Sequence, residues 1–262
     1  MITRDTIANA ILKVMKESPL VRAGWEIGAV AFNRVDEWSD VDLCFDVKDD
    51  HFEEVYAAIE AELTKIAPIE CKHGAPNGIA PGAYQTVYKL EGISEFLFVE
   101  ICFIPWSAKN KAVQKEIHGD IIVHFDEEGV LKGQKVDLDF FVGKLERRLA
   151  IFRKLYVMYQ FMVRKEIYRR NPVEAYFYYY SVAVRPMLEL VRMHYYPFRH
   201  DFEHRYVYYE LPKEVAKEIE EFVFCKDLDD LSEKHEKLLM RYLEELEYLE
   251  SLDIRKHLES HM

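Results

Sequence analysis

The sequence predicts an α+β protein, in which a mixed sheet with flanking helices is followed by a C-terminal helical bundle. Two observations predict it. Short apolar runs alternate with helical patterns in the first half of the 262 residues, and only helical patterns follow in the second half. Half of all residues are hydrophobic, which is enough for a packed core in each half. We therefore expect two domains, residues 1–133 and 134–262, with the segment Gly129–Gly133 as the linker.

The first domain is predicted to contain three helices and five strands. Apolar residues at helical spacing indicate the helices, and short apolar runs bounded by turn residues indicate the strands. A loop rich in Gly and Pro is expected at 73–82. The predicted helices cover 3–17, 51–66 and 109–117, and the predicted strands cover 24–32, 40–47, 83–90, 95–104 and 120–126.

The second domain is predicted to be all helical. One long helix covers 139–170 and ends at Asn171-Pro172, a second runs to about 195, and two more cover 213–224 and 229–258. The connection at 198–212 is crowded with charged and aromatic residues. It is either a loop that binds an acceptor substrate or a network of ion pairs that braces the bundle.

Charge and cysteine content restrict the partners and the compartment. The net charge of -12 disfavours nucleic acid as a partner, because affinity for nucleic acid comes mainly from Lys and Arg. The same charge would attract a cationic or neutral small molecule. The four cysteines form no CxxC pair, which favours a reduced, cytoplasmic location. No apolar run approaches the ~20 residues of a membrane span, so we expect no membrane partner, and the oligomeric state stays open.

An Asp-x-Asp pair lies at the start of the second predicted strand. Asp40 and Asp42 are two residues apart, so on a strand both side chains point to the same face. Two adjacent carboxylates repel each other unless a cation lies between them. Mg²⁺ prefers such hard oxygen ligands together with substrate phosphates. The pair alone is a weak signal, because acidic pairs on exposed strand faces are common.

Two further residues strengthen the prediction of a metal site. Glu100 interrupts an otherwise apolar run, where a carboxylate is costly unless it binds a cation or a strong donor. Pairing with Arg or Lys, or exposure at an edge strand, would explain it equally well. Gly28, twelve residues before Asp40, could let the backbone approach a phosphate closely.

These residues, Gly28-Ala29, then Ser39 to Leu43, then Glu100, resemble the DNA polymerase β-type nucleotidyltransferase superfamily. The pattern is most similar to its minimal and antibiotic-modifying branches, of which the kanamycin nucleotidyltransferase family is an example. The resemblance covers about residues 20–105. It implies a mixed sheet flanked by helices, and several members of the superfamily add a helical domain that helps to hold the acceptor.

The resemblance also implies the role of each residue. Asp40, Asp42 and Glu100 would be the catalytic and metal-binding acids, with two Mg²⁺ ions and an NTP. Glu100 would be either a metal ligand or the base that takes the proton of the acceptor hydroxyl. Gly28, Ala29 and Arg34 would contact the nucleotide, although a solvated loop charge is the simpler interpretation of Arg34.

The chain departs from the superfamily pattern at Ala29, where a serine is usual. The change removes a hydroxyl donor worth about 1 kcal/mol. We therefore predict an enzyme that transfers a nucleoside monophosphate from an NTP, with ATP as the expected donor, to a hydroxyl of a small acceptor. The alternative is a non-catalytic nucleotide-binding or antitoxin-like interaction protein that keeps the acids.

Overall fold

The computed structural model describes residues 2–76 and 82–262. The chain divides into two compact units, Met1–Val136 and Asp137–Met262. The first contains the sheet and the second is helical, so the predicted α+β class is confirmed. Among the described residues, no helix is both long and apolar enough to cross a bilayer.

Unit 1 is a six-stranded mixed sheet with the order β3-β4-β5-β2-β1-β6. Strands β2 and β5 pair in parallel, and the other neighbours pair in antiparallel fashion. Its elements are α1 (Arg4–Glu17), β1 (Val21–Glu26), a 3-10 helix (Gly28–Phe32), β2 (Val41–Val47), α2 (Phe52–Ile66), β3 (Ile69–Pro76), β4 (Tyr84–Leu90), β5 (Val99–Pro105), α3 (Lys115–His118) and β6 (Ile122–Asp126).

The two faces of the sheet are buried differently. On one face, α1 and α2 cover a large core that includes Leu43, Phe45 and Phe103. On the opposite face a smaller core forms around Trp25 and Cys102. Strand residues two apart share a face, so β2 and β5 send one set of side chains into the helix-covered core and the other set to the opposite side.

Three predictions for unit 1 were wrong in their boundaries. The strand predicted at 24–32 ends at Glu26, because Gly28 has φ +69° and starts a 3-10 helix. The helix predicted at 109–117 is reduced to α3, because Ala112 has φ 54° and the Nζ of Lys111 turns inward to lie 2.7 Å from the carboxylate of Asp46. The loop predicted at 73–82 begins later, because β3 pairs with β4 as far as Pro76, and its positions 77–81 lie outside the described residues.

Unit 2 is built on one long helix. The positions at which its helices are interrupted agree with the prediction, except near the C-terminus. The helix predicted at 229–258 is two helices, because Asp253 is extended and its side chain accepts a hydrogen bond from the N–H of Lys256. The elements are α4 (Leu138–Tyr168), α5 (Pro172–Tyr179), a π-helical turn (Tyr180–Val184), α6 (Arg185–Tyr195), a 3-10 helix (Pro197–Phe202), α7 (Val207–Glu210), α8 (Lys213–Val223), α9 (Leu228–Ser251) and α10 (Ile254–Glu259).

The connection at 198–212 uses its charged side chains in ion pairs within unit 2. Glu210 is buried between Arg192 at 2.7 Å and Arg199 at 2.6 Å. Nδ1 of His200 donates a hydrogen bond to Oε1 of Glu189 at 3.0 Å. Burial raises the pKa of Glu189, but hydrogen bonds from His200 and Arg148 outweigh it and hold that pKa below its usual range. These contacts favour the bracing interpretation of the segment.

Candidate active site

Two of the predicted acids are direct neighbours in the sheet. Asp42 on β2 is the register partner of Glu100 on β5, and the next pair along, Leu43 and Ile101, points into the helix-covered core. Because paired residues of adjacent strands point to the same side, both carboxylates lie on the face opposite α1 and α2. Each is half-buried. The chain therefore places two acids next to each other near the start of two parallel strands.

The electrostatics of Asp42 reflect this crowding. Burial, followed by the charges of Glu100 and Asp40, raises the pKa of Asp42 to about 7, although the guanidinium of Arg4 opposes the rise. A carboxyl with such a pKa binds a proton readily at neutral pH, and it would bind a cation for the same reason.

Asp40 lies immediately before β2, where its backbone and side chain are both held. Its Oδ1 accepts a hydrogen bond from the N–H of Phe98 at 2.9 Å, and its carbonyl accepts one from Nε of Arg4 at 2.8 Å. Burial raises the pKa of Asp40, and the hydrogen bond from Phe98 opposes that rise. One carboxylate oxygen is thus engaged with the backbone, which leaves Oδ2 as the oxygen that could turn toward a cation.

Gly28 packs directly against the carboxylate of Asp42. A Cβ added at this position would lie 1.9 Å from Oδ2 of Asp42, and the φ of +69° is one that side chains rarely adopt. The N–H of Ile27 also donates to the carbonyl of Asp42 at 3.1 Å. Glycine is required here for two reasons, the backbone conformation and the close approach to an acid of the candidate site.

Ala29 lies in the 3-10 helix Gly28–Phe32, and Arg34 follows its C-cap, Asn33. The carbonyl of Ala29 accepts a hydrogen bond from the N–H of Arg34 at 2.9 Å, which closes the turn. The guanidinium of Arg34 lies over the ring of Phe32, with its Cζ 5.1 Å from the ring centroid. The turn therefore connects both residues to Gly28, and their contact with a nucleotide stays a prediction.

Two residues of the site were missed by the sequence analysis. Gln85 on β4 donates through Nε2 to Oε1 of Glu100, and Arg4 on α1 holds the carbonyl of Asp40 and forms an ion pair with the buried Glu26. The alternation of polar and apolar residues along β4 could have indicated Gln85, because a polar side chain on β4 can lie on the same face of the sheet as Glu100. No sequence pattern indicates that Arg4 contacts Asp40, which lies 36 residues further along the chain.

The acids are chemically suited to bind a divalent cation, but their positions are only partly suited to it. Asp42 and Glu100 offer hard oxygens on adjacent strands, and the raised pKa of Asp42 marks a site where positive charge would be favourable. Within residues 2–76 and 82–262, however, no three His, Cys, Asp or Glu side chains are grouped closely enough to form a ready set of metal ligands. A cation would therefore require the carboxylate of Asp40 to turn toward the other two.

Comparison with known proteins gives little further information. No family model matches the chain, and no curated protein matches it. Among solved structures, the chain is similar to an aminoglycoside 6-adenyltransferase from Bacillus subtilis, with 11% sequence identity and a TM-score of 0.37. The match covers 100% of this chain and 97% of that one. A likeness at this level decides neither the fold family nor the activity.

Proposed function

We propose that unit 1 carries a nucleotidyltransferase site that moves a nucleoside monophosphate from an NTP, with ATP as the first candidate, to a hydroxyl of a small acceptor. The observation that carries the proposal is the register pair Asp42 and Glu100, with Gly28 packed against Asp42. This arrangement brings two acids and the glycine turn of the superfamily pattern together at one place on the sheet.

The reaction would be a displacement at the α-phosphorus. The oxygen of the acceptor hydroxyl forms a bond to the α-phosphorus, the bond from that phosphorus to the bridging oxygen breaks, and pyrophosphate leaves. The hydroxyl proton passes to a base, for which Glu100 is the candidate because its carboxylate lies beside Asp42 and is oriented by Gln85. Asp40 and Asp42 would hold Mg²⁺, which when bound would stabilise negative charge on the phosphate oxygens, and Glu100 would be a third ligand only where another group takes the proton.

The charge around the site suggests the kind of acceptor. Asp42 and Glu100 lie side by side there, the charge of Asp40 also acts on Asp42, and the net charge of the chain is -12. Arg4 already holds Asp40 and Glu26. Once the acids are occupied by metal, the net negative charge of the chain would still favour a cationic or neutral molecule over a polyanion. We therefore infer a small hydroxyl-bearing acceptor rather than nucleic acid.

The test is a transfer assay with Mg²⁺ and labelled NTPs against a panel of hydroxyl-bearing small molecules, read as pyrophosphate release. Asp42→Asn is the inactive control, and Glu37→Gln, an exposed carboxylate in the preceding loop, is the matched control that should keep activity. Release by Asp42→Asn equal to that of the wild type would refute the site.

A second candidate is a nucleotide-binding protein without transferase activity. The observation that favours it is Ala29, which lacks the hydroxyl that would contact a phosphate in the closing turn. Calorimetry with Mg²⁺ and a non-hydrolysable NTP separates the two candidates. Metal-dependent binding that is lost in Asp42→Asn, without pyrophosphate release on any acceptor, would favour the binding protein.

A further inference from the structure

A small cavity lies in unit 1 between helix α2 and the strands β3 and β4. It has a volume of about 310 Å³, at the lower end of the ~300–1,000 Å³ range of small-molecule sites. Thr86 and Tyr88 line it, and Tyr88 belongs to the core on the helix-covered face of the sheet. The pair Asp42 and Glu100 lies on the opposite face, so this cavity is separate from the candidate active site.

Helix α2 contributes two carboxylates and a phenol to the cavity. Glu53, Tyr56 and Glu60 are spaced by three and four residues, which puts them on one side of the helix. Glu53 is exposed and, across the described part of the chain, forms no ion pair. Oε1 of Glu60 accepts hydrogen bonds from the hydroxyl of Tyr88 at 3.1 Å and from Nζ of Lys72 at 2.7 Å. Two carboxylates and one ammonium group leave this lining with a net negative charge.

The strands supply the floor of the cavity, and a glycine keeps that floor open. Thr86 and Tyr88 are two residues apart on β4, so they share a face, and both are buried. Gly74 on β3 is the register partner of Thr86. A Cβ added at Gly74 would lie 3.2 Å from Oγ1 of Thr86, which is tighter than an ordinary contact. A glycine inside a strand often marks a place where a ligand approaches the backbone closely.

The hydroxyl of Tyr56 is an unsatisfied polar group among these residues. Tyr56 is 7% exposed, and its ring packs against that of Phe103 with the ring centroids 4.1 Å apart. Thr86 lies close enough to lower the pKa of the phenol, but within the described residues the Tyr56 hydroxyl has no hydrogen-bond partner. A buried hydroxyl without a partner costs folding free energy. A ligand that supplied the partner would therefore bind favourably beside Tyr56.

The charges around the phenols favour a cation as that ligand. After burial, the charges of Glu60 and Glu53 raise the pKa of Tyr88, and the charge of Glu53 also raises that of Tyr56. Nearby negative charge disfavours a phenolate, and it favours a bound cation for the same reason. The ammonium group of Lys72 already pairs with Glu60 in this way. Because Lys72 neutralises only one of the two carboxylates, Glu53 is left to bind a second ammonium group.

We propose that this cavity binds a small organic cation that carries a primary ammonium group on a short carbon chain. The ammonium group has three N–H donors and no acceptor, and the carboxylate of Glu53 and the phenol oxygen of Tyr56 are acceptors for it. The carbon chain would pack against the tyrosine rings of the lining. A neutral alcohol lacks the charge that Glu53 attracts, and an anion would be repelled by Glu53.

The experiment titrates butylammonium chloride into the ¹⁵N-labelled full chain and follows the amide signals of Gly74 and Thr86 by NMR at constant ionic strength. We expect saturable shifts with a dissociation constant on the order of 1 mM. The matched probe is n-butanol, which has the same number of non-hydrogen atoms and no charge. It should bind at least about 10-fold more weakly, and butyrate should bind more weakly still.

Two variants test the residues that carry the proposal. Glu53→Gln should weaken butylammonium binding at least about threefold, because it removes the unpaired charge at an exposed position. Glu54→Gln is the matched control, since Glu54 is the adjacent exposed carboxylate of α2 and is not part of the lining; its affinity should equal that of the wild type. Gly74→Ala should weaken binding at least about 10-fold, because its Cβ occupies the floor beside Thr86. The amide spectrum of each variant shows whether it is folded.

Asp42→Asn separates this cavity from the candidate active site. The variant should bind butylammonium as tightly as the wild type does, because Asp42 lies on the opposite face of the sheet. A wild type that does not bind butylammonium would overturn the proposal. Equal affinity for n-butanol, unchanged affinity in Glu53→Gln, or loss of binding in Asp42→Asn would each overturn it as well.

Discussion

The raised pKa of Asp42 predicts an unusual dependence of stability on pH. Its pKa is about 7 in the folded chain against an ordinary value of 3.8, so the folded state holds this proton more firmly than the unfolded state does. The free energy of unfolding therefore falls as pH rises from about 4 to 7, and the whole of this loss is present above pH 7. At ~1.4 kcal/mol for each pKa unit, the loss in free energy of unfolding is about 4 kcal/mol at most. About 2.5 kcal/mol of this loss arises between pH 5 and pH 8.

Asp42→Asn removes the group that titrates. We expect the free energy of unfolding of the wild type, relative to the variant, to fall by about 2 to 3 kcal/mol between pH 5 and pH 8. Urea unfolding followed by tryptophan fluorescence measures this for unit 1 alone, because all three tryptophans, Trp25, Trp38 and Trp106, lie in that unit. Parallel pH profiles for wild type and variant would refute the reasoning.

Asp46 provides the matched comparison. It lies on the same strand and the same face as Asp42, but it is fully buried between Arg22 and Lys111, each 2.7 Å away. Asp46→Asn should destabilise unit 1 by about 3 to 5 kcal/mol at pH 8, since it leaves the buried Lys111 without its carboxylate partner and weakens the contact of Asp46 with the partly exposed Arg22. Mg²⁺ should stabilise the wild type at pH 8 and leave Asp42→Asn unchanged, which a melting series with added metal would detect.

Three further substitutions test the remaining parts of the site. Gly28→Ala should lower the melting temperature of unit 1 and weaken nucleotide binding at least about 10-fold, because its Cβ would collide with Asp42; unchanged binding would mean that the turn does not support the site. Ala29→Ser should tighten triphosphate binding by about 1 kcal/mol in calorimetry, and weaker binding would place the turn away from phosphate. Glu100→Gln should raise the stability of the metal-free protein and lower transfer at least ~10²-fold; a destabilised variant that keeps its activity would exclude Glu100 from catalysis.

The sequence was sufficient to predict the elements that carry the acids. The apolar runs at 40–47 and 95–104 correspond to β2 and β5, because both strands consist of apolar residues interrupted only by acids, two in β2 and one in β5. The pairing of the two strands could not be read from the chain. Asp42 and Glu100 are 58 residues apart, and their register depends on the crossover that makes β2 and β5 parallel neighbours.

The turn at Gly28 shows a different limit. The glycine was predicted to lie close to the site, but the surrounding residues 24–32 were predicted as one strand because their apolar run has no polar interruption after Glu26. Tertiary contact decides the outcome, since the positive φ of Gly28 packs the backbone against Asp42. A pattern of side chains cannot reveal a backbone conformation that is selected by a residue on another strand.

The contrast between Asp42 and Asp46 is the strongest argument that the first of them has a function. Both lie on β2 with side chains on the same face, and the fold supplies Arg22 and Lys111 to Asp46. In the part of the chain that the structure describes, no Lys or Arg forms an ion pair with Asp42, and Glu100 lies beside it instead. A chain that can neutralise one buried carboxylate with two cations could neutralise another four residues away. The chain instead places Glu100 beside Asp42 and packs Gly28 against it. Such an arrangement is expected where a ligand supplies the missing positive charge.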